Sequence, residues 1–464
     1  MAVVKEDIKR LTDDEIRELD NEYCSWGDTA HYSKEPKIFS SCEGSYMYDS
    51  NDTPYLDLQM WYASCNLGYK NKRVSEAVVD QINTMPGIAP KFLYNYKALL
   101  SEKIAKGMMK RFGEKGRVHF NVGGAQAIED AIKVLRNYTH KNRQFAFMGG
   151  YHGRTIGASC ITSSYRYRES YGHFGDRAHF VPFPYCFRCH YGKKCESCNF
   201  YCVKQFAKNF ESEYNSFYDK KTGDCEFGAF VCEPLLGTGG YVVPPKGYFK
   251  ELKKVLDEFN IVFAVDEIQM GLYRTGKLWA IEHFGVTPDI MTFGKSLTNG
   301  LNPLAGFWAK EKLIAPDVFP PGRAHSTYSS NPLGTRAGYE VMSIMEEEDF
   351  ETSVARKGKL FLEGLKSLKS KYSVIGDVDG LGLALRMEIT QTDGITPNRE
   401  LCDKLQEEGL KGDLIYKGKK CGLVLNNGGY YKNVITFVPS LYITDDEINM
   451  AIELLDQLFT RLEK

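Results

Sequence analysis

Ile261-Val-Phe-Ala-Val-Asp-Glu-Ile-Gln269 is an apolar run that breaks off into charge, and Ile290-Met-Thr-Phe-Gly-Lys-Ser296 does the same further along the chain. A short apolar run without polar alternation reads as a strand buried on both faces, the kind found in parallel sheets. Runs at 145–148, 227–232 and 304–309 share that character. Helical spacing of apolar residues marks 72–84, 96–112, 125–140, 246–259 and 335–347. Strands alternating with helices predict an α/β fold with a mostly parallel central sheet flanked by helices.

Ligands gather at the carboxyl ends of strands in such sheets. Tyr151 and His152 follow the 145–148 run, Glu233 follows 227–232, Asp266 and Gln269 end 261–265, and Lys295 ends 290–293. Burying a lysine is costly, but it lowers the amine's pKa and makes it a nucleophile. The plainer alternative is a lysine that reaches solvent past Gly294. A carboxylate at Asp266 could hold the ring nitrogen of a heteroaromatic cofactor protonated, or it could simply cap a helix. The two residues on successive strands favour a site.

Outward from this centre, residues 5–22 read as a charged helix and 44–57 as a hairpin turning at Asn51 and Asp52. From about residue 350, charged helices alternate with strands, and an amphipathic helix at 444–463 ends the chain. We expect an N-terminal segment, 1–65, that joins a small α+β domain formed with 336–464, around a large domain at 66–335. The 464 residues suffice for two such units.

The 59 basic and 60 acidic residues leave a net charge of −1, which gives no reason to expect nucleic acid or a membrane as partner. The first twenty residues are polar, unlike a secretory signal, so a cytoplasmic location is expected. No apolar stretch approaches the roughly 20 residues that span a bilayer.

Val265-Asp-Glu-Ile-Gln-Met-Gly-Leu-Tyr-Arg-Thr-Gly276 with Phe293-Gly-Lys-Ser-Leu-Thr-Asn-Gly300 resembles the signature of class III aminotransferases, which use pyridoxal 5′-phosphate (PLP) and have PLP fold type I. The resemblance implies an internal aldimine on Lys295 and a ring-nitrogen partner in Asp266. It places Gly123, Gly124 and Ala125 at the cofactor phosphate, received by main-chain N–H groups at a helix start. Tyr151, beside His152, matches the aromatic that stacks on the ring, and Glu233 and Gln269 match groups near the ring and its phenolic oxygen. Thr327 matches the threonine that reaches the phosphate of the neighbouring subunit, which implies a homodimer with shared sites. Trp61 and Tyr62 fall where the family lines its substrate entrance, although they could equally be core residues.

The chain also departs from the family. A substrate-carboxylate arginine of that family is replaced by Thr436, and the glutamate that pairs with it by Thr238. Losing both together avoids a lone buried charge. Arg386 stands where the aligned pattern has a small residue. Strand alternation puts it on one face with Ala384 and Glu388, either as a surface or interface ion pair or as a relocated anion site for a carboxylate, phosphonate or phosphate.

Cys186, Cys189, Cys195, Cys198 and Cys202 form a cluster with two Cys-x2-Cys pairs. Four such thiolates can hold a structural zinc, with His190 as another ligand, but the intervening loop is short for a zinc module. The alternative is a thiol-rich structural loop.

The expected activity is transfer of an amino group from a primary amine or amino acid to a keto acid. Alternatives are a lyase of the same family releasing ammonia or phosphate from a phosphonate or phosphorylated amine, an amino-acid racemase, or a non-catalytic binding relative.

Overall fold

A computed structural model describes residues 11–33, 35–167, 171, 178–214 and 216–462. Among these, seven strands form the largest sheet, in the spatial order Gly116–Asn121, Ala305–Lys310, Ile290–Phe293, Val262–Asp266, Phe227–Cys232, Arg143–Phe147 and His179–Val181. The last five run parallel to one another, and Ala305–Lys310 is antiparallel to both of its neighbours. The sheet is therefore mostly parallel, as expected.

Side chains alternate between faces along a strand, and the sequence fills both faces with apolar groups. Phe230 and Cys232 join the core on one side while Ala229 and Val231 join the core on the other. Phe263 and Val265 divide from Val262 and Ala264 in the same way. The first side is aromatic: Phe145 stacks on Phe227 at 3.9 Å and meets Phe206 edge-on at 5.0 Å. Helix Tyr248–Glu258 closes it with Phe249, Leu252 and Leu256. Helix Gly124–Thr139 covers the other side with Ile128, Ala131, Ile132 and Leu135.

The two chain ends build the remaining larger sheets. Strands Ser41–Glu43, Tyr46–Tyr48 and Pro54–Asp57 continue through Lys419–Val424 to Leu414–Tyr416. Pro54–Asp57 pairs with Lys419–Val424 in parallel, Leu56 opposite Leu423. A four-stranded sheet orders Ile375–Leu381, Ala384–Ile389, Val434–Phe437 and Asn426–Gly428.

Arg274 fastens these parts together. It is buried and donates to the carbonyls of Leu383 (3.3 Å) and Pro439 (2.6 Å). Its own carbonyl accepts from Leu383 N at 3.0 Å. Gly382 permits this approach: its φ is 58°, and a Cβ there would lie 2.4 Å from the carbonyl carbon of Thr275.

The expected hairpin is present, with Tyr46–Tyr48 antiparallel to Pro54–Asp57. Strands Gly116–Asn121 and His179–Val181 were not expected. Both lie at sheet edges, and Gly116–Asn121 interleaves Arg117 and His119 with its apolar residues. The N-terminal helix spans Asp13–Tyr23 and buries none of its residues, while positions 5–10 of the expected helix lie outside the described residues. The last helix is Asp445–Leu462, and position 463 lies outside them too. No helix of the described residues is long and apolar enough to cross a membrane.

Candidate active site

Strand ends deliver the polar groups to one place. Asp266 closes Val262–Asp266, and Thr292 sits beside it in register on the next strand. Asp266 Oδ1 accepts from Ile268 N at 3.0 Å and from Thr292 Oγ1 at 3.2 Å. Its Oδ2 lies 2.8 Å from His152 Nδ1. Burial disfavours charge on His152, but the Asp266 carboxylate outweighs it and Glu233 adds to that pull, so the imidazole pKa is raised. The other ring nitrogen, Nε2, is buried without a hydrogen-bond partner among the described residues.

Glu233 is held from two sides: Tyr151 N donates to Oε2 and Gly237 N to Oε1, both at 2.9 Å. Burial, reinforced by Asp266, pushes its pKa up to about 7. Gln269 Nε2 donates to Tyr241 Oη at 3.1 Å and toward Tyr62 O at 3.4 Å. The Tyr151 ring meets Tyr167 edge-on at 5.2 Å.

Lys295 follows Gly294 with φ 45° and opens a short 3-10 turn, Lys295–Thr298. Its amine makes no hydrogen bond or ion pair among the described residues, although Asp266 and Glu233 act on it electrostatically. Desolvation wins over both carboxylates, and the pKa is pushed down to about 8.

Helix Gly124–Thr139 begins without a side-chain cap at Gly123. The first N–H groups of a helix have no intrahelical partner and attract anions, so Gly124 and Ala125 present a bare N-terminus. Gly153 closes against that turn, where a Cβ would come within 2.6 Å of Ala125 Cβ.

Trp61 and Tyr62 are 55% and 46% exposed, so they are not core residues. They lie in a turn, Met60–Ala63, whose four residues all have positive φ. Thr327 is exposed and bonded to none of the groups above.

Thr436 is buried and its hydroxyl accepts from Asn426 Nδ2 at 2.9 Å. Thr238 lies on the neighbouring loop, its carbonyl accepting from Gly429 N at 3.0 Å.

Arg386 makes the expected ion pair with Glu388, but it is 2% exposed, so the pair is buried and not at the surface, and the arginine is not a free anion receptor. It donates to Tyr185 Oη at 2.7 Å and to Glu388 Oε2 at 3.1 Å, and it pairs with Asp377. Arg188 and Asn433 also bond Glu388, so charge is matched within the network. The zinc expectation finds no support: among the described residues no group of three or more His, Cys, Asp or Glu side chains is arranged to hold a metal. Two of the thiols bond backbone groups, Cys198 Sγ donating to Cys195 O at 3.5 Å and Lys193 N donating to Cys189 Sγ at 3.4 Å, and Cys186 interacts with the Cys195 thiol. Burial and the neighbouring Cys195 raise the Cys186 pKa.

Arg154 was missed from the sequence. Its guanidinium sits 4.4 Å from the Tyr167 ring centre and acts on Tyr151. The only signal was its place two residues after His152.

Residues 30–459 match the model of the family described as aminotransferase class-III. The chain belongs to the class III aminotransferases. It is 31% identical over 433 residues to a leucine/methionine racemase of Thermococcus litoralis, covering 92% of each chain. It is also 31% identical over 418 residues to a probable 4-aminobutyrate aminotransferase of Bacillus subtilis, covering 89% of this chain and 91% of that one. In fold, this class III aminotransferase superposes on the PLP-bound amine transaminase of an uncultivated Pseudomonas species. The TM-score is 0.82 at 24% identity, covering 94% and 97% of the two chains.

Proposed function

We propose that this site binds PLP and uses it to move an amino group from a primary amine or amino acid to a keto acid. The observation that carries the reading is Lys295: an amine without a bonded partner, depressed to about 8, beside the fixed carboxylate of Asp266.

The residues fit the cofactor in chemistry and in order. The bare helix start at Gly124 and Ala125 suits a phosphate. Asp266, anchored by three donors, suits a protonated ring nitrogen. Tyr151 offers a ring face, and Glu233 and Gln269 offer polar groups for a phenolic oxygen. The orphaned Nε2 of His152 is a polar atom to which such a ligand brings company. PLP, when bound, supplies an electron sink for the carbon that bears the amine.

Lys295 Nζ is the group that takes a proton from that carbon, because its lowered pKa leaves much of it neutral near pH 8. Asp266 holds positive charge at the ring nitrogen, and His152 keeps Asp266 oriented and ionised. Trp61 and Tyr62 wall the approach and limit water. The functional unit we infer is a homodimer in which exposed Thr327 serves the other subunit's phosphate. We read 66–335 as the cofactor-binding domain and the two chain ends as the smaller one.

Racemisation is the second reading, favoured by two observations. Thr436 and Thr238 leave no ion pair to alternate between amine and dicarboxylate substrates, and a racemase is among the relatives at 31% identity. Racemisation returns the proton to the same carbon, whereas amino transfer does not.

One assay separates the readings. The PLP-loaded protein is mixed with an amino acid, with and without a keto acid, and the keto product and enantiomers are counted. Keto product formed in step with aminated acceptor supports transfer. Loss of optical purity without a keto acid supports racemisation. Activity retained by Lys295→Ala overturns both.

A further inference from the structure

Lys295 begins its 3-10 turn at φ 45°, a left-handed conformation that a lysine keeps only where its surroundings hold it. The turn ends at Asn299, left-handed as well at φ 50°. Asn299 joins this turn to a segment from the other end of the chain. Its Oδ1 accepts from Leu67 N at 2.9 Å, and its Nδ2 donates to Gly68 O at 2.8 Å. All three residues are buried. Asparagine carries an acceptor and donors on a short stem and tolerates the left-handed region, so it suits both tasks. Gly300 completes the joint: at φ 74°, a Cβ there would lie 2.8 Å from Cys65 Sγ and 3.1 Å from Trp61 Cε3.

The gripped segment is anchored independently. Leu58 N donates to Val424 O at 3.1 Å, and Val438 N donates to Leu58 O at 2.8 Å. Leu441 N donates to Asn66 O at 2.8 Å, and Asn66 Nδ2 donates to Leu272 O at 3.0 Å. Lys295 therefore stands on a turn whose far end is tied to residues 58–68, and through them to the last strands of the chain. Between Leu58 and Gly68 there is no acidic or basic residue. Helix Pro332–Glu347 packs on the same turn, where a Cβ at Gly338 would lie 3.5 Å from Leu297 Cγ, and its Arg336 and Glu340 pair with each other. The charges that act on Lys295 are those of Asp266 and Glu233. What the joint at Asn299 governs is burial.

We propose that Asn299 is a positioning residue for Lys295: it locks the lysine's turn to residues 58–68 and so keeps the amine dry beside Asp266. This rests on the reading of Lys295 as the reacting amine. A turn released at Asn299 lets the amine swing toward water and lifts the desolvation that holds its pKa at about 8.

The test reads the protonation of Lys295 without PLP. Full-length, cofactor-free protein is acetylated briefly with acetic anhydride from neutral to strongly alkaline pH, and mass spectrometry counts the modified Lys295 peptide. The midpoint of the curve reports the charge, whatever the plateau. Wild type should reach its midpoint near pH 8. Asn299→Gly, whose glycine takes the same φ without strain, should raise the midpoint by about one pH unit or more, a tenfold shift in the proton equilibrium. Asn299→Ser offers a hydroxyl acceptor to Leu67 N and should raise it less. Arg386→Met, a buried change in the four-stranded sheet, should leave it in place, because lost stability alone does not move the pKa of a folded chain. A midpoint unchanged in Asn299→Gly, or raised equally in Arg386→Met, overturns the positioning role. If the glycine variant does not fold, the serine variant decides: a midpoint above wild type supports the role, and an equal one ends it. A wild-type midpoint near 10.5 removes both the role and the reading of Lys295. PLP uptake is followed separately by absorbance, and a wild type that forms no adduct at Lys295 while the midpoints shift as expected sinks the PLP reading alone.

Discussion

His152 Nδ1 lies 2.8 Å from Asp266 Oδ2, and both side chains are buried at the end of strand Val262–Asp266. With Ile268 N and Thr292 Oγ1 on the other oxygen, the carboxylate has three donors and one orientation. A buried carboxylate satisfied in this way is a fixed negative charge aimed by its neighbours.

Replacing that charge separates position from electrostatics. Asp266→Asn keeps the shape and should still take up PLP, but turnover should fall about 10²–10³-fold, the usual loss when one preorganised electrostatic partner is removed. Steady-state kinetics on the PLP-loaded variant measure this, and near-wild-type turnover would reduce Asp266 to a structural cap.

Removing His152 should be felt in stability. His152→Phe leaves Asp266 Oδ2 without its side-chain donor in a buried place, which should cost about 3–5 kcal/mol. Urea unfolding at pH 7 of the cofactor-free protein is the measurement. A loss below about 1 kcal/mol would mean that solvent reaches the carboxylate.

Lys295 gives a pH dependence with a definite sign. Its pKa falls from 10.5 to about 8 on folding, so the neutral nucleophile accumulates as pH rises toward 8 and saturates above it. PLP capture by the cofactor-free protein should climb about tenfold per pH unit below that point and level off above it. A rate still climbing at pH 10 would show an ordinary lysine. The same shift enters stability: below pH 8 both states are protonated and the folded state bears the full burial penalty. The penalty is relieved as pH rises from about 8 to 10.5, because the unfolded chain then binds more protons. Lys295→Met should therefore stabilise the cofactor-free protein most below pH 8, and the gain should shrink above it.

Arg386→Met should leave Asp377 and Glu388 partly unpaired in the sheet of Ala384–Ile389 and cost about 3–5 kcal/mol. Because its charge is consumed inside that network, KM for anionic amines should stay within about twofold of wild type where the variant is folded. A KM rise of tenfold would return Arg386 to the substrate.

The central sheet was legible because its strands are apolar on both faces: Phe230 with Cys232 and Ala229 with Val231 leave a polar residue no place but the strand end. Topology then brings Asp266, His152, Glu233 and Lys295 together without any distant knowledge. Edge strands such as Gly116–Asn121 were hidden by their alternation of polar and apolar residues. The Glu388 pair of Arg386 was legible from strand alternation, but its burial was not, because Asp377 and Tyr185 meet it only through register and folding, the latter from about two hundred residues away. The cysteine spacing suggested a metal or a thiol-rich loop, and spacing alone does not set the side-chain geometry that separates the two.

The parallel pairing of Pro54–Asp57 with Lys419–Val424 has a consequence for synthesis. At ~5–20 residues per second, the strand that completes this sheet leaves the ribosome tens of seconds after the strand it joins. Residues 46–57 can close their own hairpin early, but that hairpin then waits with an open edge while the central sheet assembles. An unpaired edge invites association with other chains. Newly made chains should therefore depend on chaperone protection during translation more than the finished enzyme does during refolding, and a circular permutant joining the ends so that 419–424 emerges first should lessen that dependence.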